Sequence, residues 1–177
     1  MVISDTFATH GLQVPALSEA SYAEFKSFFQ VIGGSYRNPL DAAWTIGPHA
    51  TGGQNNLDRM LGILDRDPVI DAIVMEFRPG LNFGGPRRPI DVKESIPLLD
   101  RLASFAERAH KPFAIAVESQ HVAPDVRATV VAGAAALARE RGLATFDTIE
   151  RAAGAFRAAA EYFERAGASA KAPIAAG

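Results

Sequence analysis

Cysteine is absent from this chain of 177 residues, which excludes disulfide bonds, thiolate nucleophiles and cysteine-ligated metal sites. Charge is nearly balanced, with a formal net charge of −2, so the chain has no overall electrostatic attraction to nucleic acid or to an anionic membrane. No stretch approaches the roughly 20 apolar residues of a membrane-spanning helix. Residues 1–5 lack the basic start of a secretory signal peptide. We therefore expect a cytoplasmic protein that binds neither nucleic acid nor membranes.

Two phosphate-binding motifs are also missing. The chain contains neither a GxGxxG fingerprint nor a P-loop, and the run Gly84-Gly85-Pro86 matches neither. His121 is the one histidine near the expected ligand face, and a lone histidine is weak support for a metal site. We therefore predict that no metal is bound.

What the chain does contain is an alternation of apolar runs and helical patterns. Continuous apolar runs, typical of parallel strands that are covered on both faces, lie at 70–77, 113–117 and 143–146. Patterns with helical spacing separate them. We therefore predict one three-layer α/β domain over residues 1–167, in which helices cover both faces of a parallel sheet. Residues 168–177 are small and unpatterned, and we predict a flexible tail there.

Capping residues mark the starts of two helices. Asp91 and Glu94 form a capping box that predicts a helix over 92–110, and a second box predicts a helix over 148–166. Pro97 lies deeper than the first helical position of its helix. A proline there removes a backbone hydrogen bond and crowds the preceding turn, so we expect the first two turns to be perturbed.

The first third of the chain carries a short strand candidate, a capped helix and a polar connection. Residues 12–14 are a candidate for a very short strand, and the polar, glycine-rich residues 49–55 are predicted to form a mobile connection. Between them, Ser18 caps a helix with aromatic side chains on one face. A surface helix must bury its apolar face, so we expect these side chains in the core: Tyr22, Phe25, Phe28 and Phe29.

Polar residues follow the predicted strands, at the edge where open α/β sheets bind ligands. The candidates are Arg37, Asn38, Asp41, Glu76, Arg78, Glu118 and His121. An arginine would bind a phosphate or carboxylate at two points, and a carboxylate after a buried strand would act as a general acid or base. The structural alternative is that Arg78 and Glu118 pair across adjacent strand ends and only fix the loops. No nucleophile–base pair is recognisable, and we predict no catalytic residue.

Four segments carry a resemblance to a known family. Residues 5–15 read DTFATHGLQVP, residues 38–41 read NPLD, residues 64–74 read LDRDPVIDAIV and residues 142–153 read GLATFDTIERAA. In this order, they resemble the last flavodoxin-like domain of the NDP-forming acyl-CoA synthetases, which are relatives of succinyl-CoA ligase. The resemblance extends over nearly the whole chain and implies a flavodoxin-like, succinyl-CoA synthetase-like fold.

The resemblance also implies an activity for the intact enzyme. Such a synthetase forms acyl-CoA from a carboxylic acid, CoA and ATP with magnesium, through acyl phosphate and phosphohistidine steps. The chain has no counterpart of the family's "SHTGAL" histidine motif, of its CoA-binding Rossmann domain or of its ATP-grasp domains. It also begins after the family's first strand, which is central in the strand order 2-1-3-4-5, so we expect that strand to be missing.

We therefore expect a non-catalytic structural module that binds no cofactor alone. Its partners would be other domains or subunits of an acyl-CoA synthetase, and the missing strand leads us to expect a homo-oligomer as well. Two alternatives remain open. One is a stand-alone enzyme or small-molecule binder that uses the residues at the strand ends. The other is a regulatory domain that senses CoA or a nucleotide.

Overall fold

Three parallel strands form the sheet of this protein. The structure, a computed structural model, describes residues 2–31, 34–46, 50, 52–79, 90–118 and 123–170. Strands β1 (Ile73–Phe77), β2 (Phe113–Val117) and β3 (Ala144–Phe146) lie in the order β1-β2-β3. Each of the three predicted apolar runs contains one of them, and the predicted three-layer, flavodoxin-like α/β class is confirmed.

Helices precede, separate and follow the strands. They are α1 (Val2–Thr9), α2 (Glu19–Lys26), α3 (Ala43–Ile46), α4 (Gly53–Arg66), α5 (Ile96–Arg108), α6 (Pro124–Arg139) and α7 (Ile149–Ala170). Helices α4, α5 and α6 form one layer, in which α5 contacts α6 and an ion pair joins α5 to α4. Helix α7 packs against β2, β3 and α1 and forms the other layer.

The main hydrophobic cluster lies between the sheet and the α4–α6 layer. It includes Ile73, Phe77 and Ile115 from the strands, and Leu61 and Leu102 from the helices, all of them buried. Removing such side chains from water is the dominant favourable contribution to folding. Every residue of β2 is buried, as expected for a strand with a neighbour on each side.

The opposite face of the sheet is lined by much smaller side chains. Ala114 and Ala116 of β2 point to this face, because side chains alternate along a strand. The buried residues in the first turns of α7 are Ala152 and Ala153, each 0% exposed. We call these four residues the alanine seam. Their short side chains let α7 approach the sheet closely.

Several predicted boundaries differ from the structure. The predicted helix 92–110 is a 3-10 turn over Val92–Ser95 followed by α5, so Pro97 lies in the first turn of the α-helix, where its missing N–H does no harm. Residues 12–14 form no strand. Helix α4 begins at Gly53, inside the predicted mobile connection. Helix α7 continues to Ala170, into the predicted tail.

The predicted aromatic stripe, on α2 and the residues that follow it, enters the core. Phe25 is 0% exposed and Phe29 is buried, while Tyr22 and Phe28 pack against the same cluster. Tyr36 completes the group, with edge-to-face contacts to Tyr22 and Phe29 at 5.9 and 6.0 Å between ring centroids. This aromatic cluster attaches residues 34–41 to the rest of the domain.

Candidate functional site

Glu76 and Arg78 form an ion pair at the carboxyl end of β1. Arg78 Nε donates a hydrogen bond to Glu76 Oε1 at 2.6 Å, and Arg78 Nη2 lies 2.6 Å from the same oxygen. The Glu76 side chain is 21% exposed and that of Arg78 is 48% exposed. Both residues belong to one strand end, so the pair does not bridge two loops. It neutralises the guanidinium at the place where the sequence predicts a phosphate or carboxylate site.

Glu118 lies beside this pair on the neighbouring strand, because Phe77 and Val117 are in register. Its backbone N–H donates to the Phe77 carbonyl at 2.8 Å and extends the ladder by one residue. The alternative prediction paired Arg78 with Glu118, but the ion pair that Arg78 makes among the described residues is with Glu76. His121, the remaining candidate after this strand, lies outside the described residues.

Arg37, Asn38 and Asp41 belong to a turn rather than to a strand end. Ser35 and Asp41 close the turn through two backbone hydrogen bonds, of 3.0 and 2.7 Å. The Arg37 N–H donates to Ser35 Oγ at 3.1 Å. The Asn38 side-chain amide donates to the Pro15 carbonyl at 2.9 Å. The Arg37 and Asp41 side chains are exposed.

This turn and the strand-end pair are two separate groups. Asn38 is bonded to the segment that leads into α2, and Ser18 of that segment donates its N–H to Asp67 at 2.9 Å. Asp67 follows α4 and precedes β1, so it lies toward the amino end of the strand. Within the described part of the chain, no hydrogen bond or ion pair joins the turn to Glu76 or Arg78. The predicted candidates among the described residues therefore fall into two groups, the turn and the strand ends.

The carboxylates with perturbed pKa values lie elsewhere. Asp67 is 1% exposed and accepts hydrogen bonds from the Ser18 and Val69 N–H groups. Burial opposes its ionisation, but hydrogen bonds from the Ser21 hydroxyl and from these N–H groups outweigh burial and lower the pKa of Asp67. Sequence analysis missed this role, although an aspartate between a helix end and a proline is typical of a turn.

Asp65 joins the end of α4 to the turn between α5 and β2. Its carboxylate accepts the His110 and Lys111 N–H groups at 2.9 and 3.1 Å and lies 2.8 Å from His110 Nδ1. Burial again opposes ionisation, and the hydrogen bonds from His110 and Lys111 outweigh it, so the pKa of Asp65 is lowered. These contacts link elements of the fold and do not surround a ligand.

Across residues 2–170, with the gaps given above, no group of three or more histidine, aspartate or glutamate side chains is placed to hold a metal ion. Among the same residues, no helix is long and apolar enough to cross a membrane.

The outer edge of β1 presents unpaired backbone groups. The Ile73 N–H bonds to Pro112 of the β2 side, and the Phe77 carbonyl accepts from Glu118. In a parallel ladder alternate residues face the same neighbour, so Val74 and Glu76 direct their N–H and C=O groups away from β2. Within the described residues, these groups of Val74 and Glu76 make no hydrogen bond. We call these groups the open edge of β1; the backbone of another strand could pair with them.

Comparisons with known proteins support the fold. No protein-family model matches the chain, and no curated protein is detectably similar to it. A solved structure, the crystal structure of PH0766 from Pyrococcus horikoshii OT3, is similar with a TM-score of 0.61 and 20% sequence identity. The match covers 89% of this chain and 31% of PH0766, so this chain spans about a third of the length of that protein.

Proposed function

We propose that this chain is a non-catalytic structural and interaction module of a cytoplasmic NDP-forming acyl-CoA synthetase. The observation that carries the proposal is the structural role of polar residues in the segments that resemble the family. Asn38 of the NPLD segment holds the turn to Pro15, and Asp67 of the DPVID segment anchors Ser18. Thr148 of the last segment accepts the Arg151 N–H at the start of α7. These polar residues shape the backbone and do not present reactive groups.

The ligand-binding chemistry of the synthetase belongs, in this proposal, to other domains. CoA and ATP carry phosphates, which proteins bind with converging cations or with glycine-rich backbone. Arg78 is paired with Glu76, and Arg37 lies in the separate turn. These two candidate arginines therefore do not converge on one phosphate. Magnesium would be bound together with ATP in those other domains.

The size of the similar structure also supports a module. A fold of this shape occurs as about a third of the PH0766 chain. The open edge of β1 gives the module a place where further backbone can be added without any change in its core. The partners that we propose are other domains or subunits of the synthetase, and a second copy of the chain.

The experiment compares the chain alone with the chain and its partners. Tagged chain is purified from the cells in which the gene occurs, and the eluate is assayed for acyl-CoA formation from carboxylic acids, CoA and ATP. We expect activity that depends on both CoA and ATP in this eluate. We expect none from the same chain produced alone, and none from an eluate of cells that carry the tag without the chain.

A second readout tests the absence of catalysis directly. Labelled ATP should leave no phosphohistidine on the chain alone, because none of its histidines, His10, His49, His110 and His121, lies in the family's motif. Acyl-CoA formation by the chain alone, or a phosphate on one of these histidines, would contradict the proposal. It would favour the stand-alone enzyme. Tight binding of CoA or a nucleotide by the chain alone would favour the regulatory domain.

A further inference from the structure

We propose that the open edge of β1 pairs with β1 of a second copy of this chain, antiparallel and about a twofold axis at Met75. The pairing would join two three-stranded sheets into one continuous sheet. It does not depend on the acyl-CoA synthetase assignment, because it follows from the backbone of β1 and from its open edge among the described residues.

The hydrogen-bonding groups of the edge are self-complementary. Val74 and Glu76 each direct one N–H and one C=O outward. The backbone N–H and C=O of Met75, which lies between them, point toward β2. An antiparallel ladder alternates hydrogen-bonded pairs with pairs that are not hydrogen-bonded. With Met75 opposite Met75 of the second copy, Val74 of each chain lies opposite Glu76 of the other. All outward groups of these two residues are then satisfied, in both copies.

The side chains of β1 allow this approach. Its middle residues Val74, Met75 and Glu76 keep partial exposure, whereas β2 is buried throughout. The strand lacks the lysine, proline or bulge with which proteins usually protect an edge. Glu76 is its one charged residue, and that charge is already paired with Arg78 at 2.6 Å. Pairing therefore brings no uncompensated negative charges together across the axis.

A second copy is the occupant that best fits these groups. The twofold arrangement closes on itself and uses one edge of each chain, so it gives a dimer and not an open filament. The other edge of the sheet, β3, has only three residues and offers a much shorter ladder. A parallel strand from a different protein would also satisfy the β1 edge, and the experiment below distinguishes it from the dimer.

A single cysteine tests the register of the pairing. Residues directly opposite each other in a pair without hydrogen bonds have Cα atoms about 4.5 Å apart, which a disulfide can span. Because the natural chain has no cysteine, Met75→Cys introduces one thiol. Under mild oxidation we expect nearly complete conversion to a covalent dimer. Tyr162→Cys, at a side chain 67% exposed on α7, is the matched control and should remain mostly uncrosslinked.

Backbone substitutions test the hydrogen bonds. Light scattering at micromolar concentration should give the untreated chain a mass of twice 18.8 kDa. Val74→Pro removes one outward N–H and should halve that mass while the thermal unfolding transition stays cooperative. Val74→Thr keeps the N–H and should remain dimeric. If Val74→Pro fails to fold, the cysteine experiment still decides.

Three outcomes would overturn the proposal. The first is an untreated chain that is monomeric at 18.8 kDa, which would leave the edge to a strand from another protein. The second is a dimer in which Met75→Cys does not crosslink. The third is equal crosslinking of Tyr162→Cys. A monomer that still copurifies with synthetase activity would overturn the pairing and leave the proposed function intact.

Discussion

Arg101 and Asp58 make a two-point contact between helices α5 and α4. Arg101 Nε donates to Asp58 Oδ1 at 2.7 Å, and Arg101 Nη2 donates to Asp58 Oδ2 at 2.5 Å. The hydrogen bond from Arg101 lowers the pKa of Asp58, and the same bond raises the pKa of Arg101. A fork of this kind fixes the orientation of both side chains as well as their distance.

We predict that Asp58→Asn destabilises the domain at neutral pH by about 0.5–1 kcal/mol, a modest amount because the Asp58 side chain is 39% exposed and solvent screens the pair. The measurement is the free energy of unfolding in urea at pH 7. Asp71→Asn is the matched control, since Asp71 is exposed and makes no ion pair among the described residues. Equal effects of the two substitutions would contradict the prediction.

Asp65 should contribute to acid sensitivity. Its pKa is lowered in the folded chain, so its stabilising contribution is present above its unfolded pKa, about 3.9, and is lost as the pH falls through the lower folded value. We predict that Asp65→Asn costs about 1 kcal/mol at pH 7. The difference in the free energy of unfolding between Asp65→Asn and the natural chain should shrink steadily below about pH 4. Urea titrations at pH 7 and pH 3 check this, and a difference that is independent of pH would contradict it.

Asp67 should be the most sensitive of these carboxylates to truncation. Asp67→Ala leaves the partly buried N–H groups of Ser18 and Val69 without their acceptor. An unsatisfied buried donor costs about 1–3 kcal/mol, so we expect a loss of stability within that range. Asp71→Ala, at an exposed neighbouring position, should cost less than about 0.5 kcal/mol. Thermal unfolding followed by circular dichroism compares the two variants.

Replacement of two glycines by alanine should change the free energy of unfolding in opposite directions. A Cβ at Gly34 would lie 2.5 Å from the Asp41 carbonyl oxygen, which already bonds to Ser35, so Gly34→Ala should open the turn and destabilise the domain. A Cβ at Gly62, within α4, would meet only the flexible end of Arg66, at 3.3 Å. Gly62→Ala should therefore stabilise the domain by about 0.5–1 kcal/mol, the helix preference for alanine. Stabilisation by Gly34→Ala would contradict this view of the turn.

The parallel sheet was predictable because its strands carry continuous apolar runs. Phe113–Val117 was predicted to the residue, since burial on both faces leaves no ambiguity about the pattern. Residues 12–14 have the composition of a strand but no ladder to join, and composition alone cannot supply a hydrogen-bonding partner. Pro97 was expected to perturb the first two turns of a helix over 92–110, but the first turn is a separate 3-10 turn over Val92–Ser95 and Pro97 lies in the first turn of α5.

The candidate site was less predictable than the fold. Glu76 and Arg78 were identified from their position at a strand end, but their mutual pairing depends on side-chain conformations that sequence does not specify. The sequence also places Arg37 and Asn38 at a strand end, whereas the structure places them in the turn closed by Ser35 and Asp41. The hydrogen bond from Asn38 to Pro15 spans 23 positions of the chain and attaches the turn elsewhere.

Both helical layers pack on the sheet through apolar contacts, but ion pairs also join the helices of the α4–α6 layer to one another, so the two layers should respond differently to ionic strength. The α4–α6 layer is joined across its surface by the pairs Arg101–Asp58 and Arg141–Asp100. Salt at about 1 M reduces the Debye length to about 3 Å and weakens such surface pairs. The alanine seam beneath α7 contains no charge for salt to screen, and the pairs that Asp147 makes with Arg139 and Arg151 lie at the exposed start of the helix. In concentrated salt, hydrogen exchange should quicken first in the amides of α5, while those of α7 that lie on the seam keep their protection.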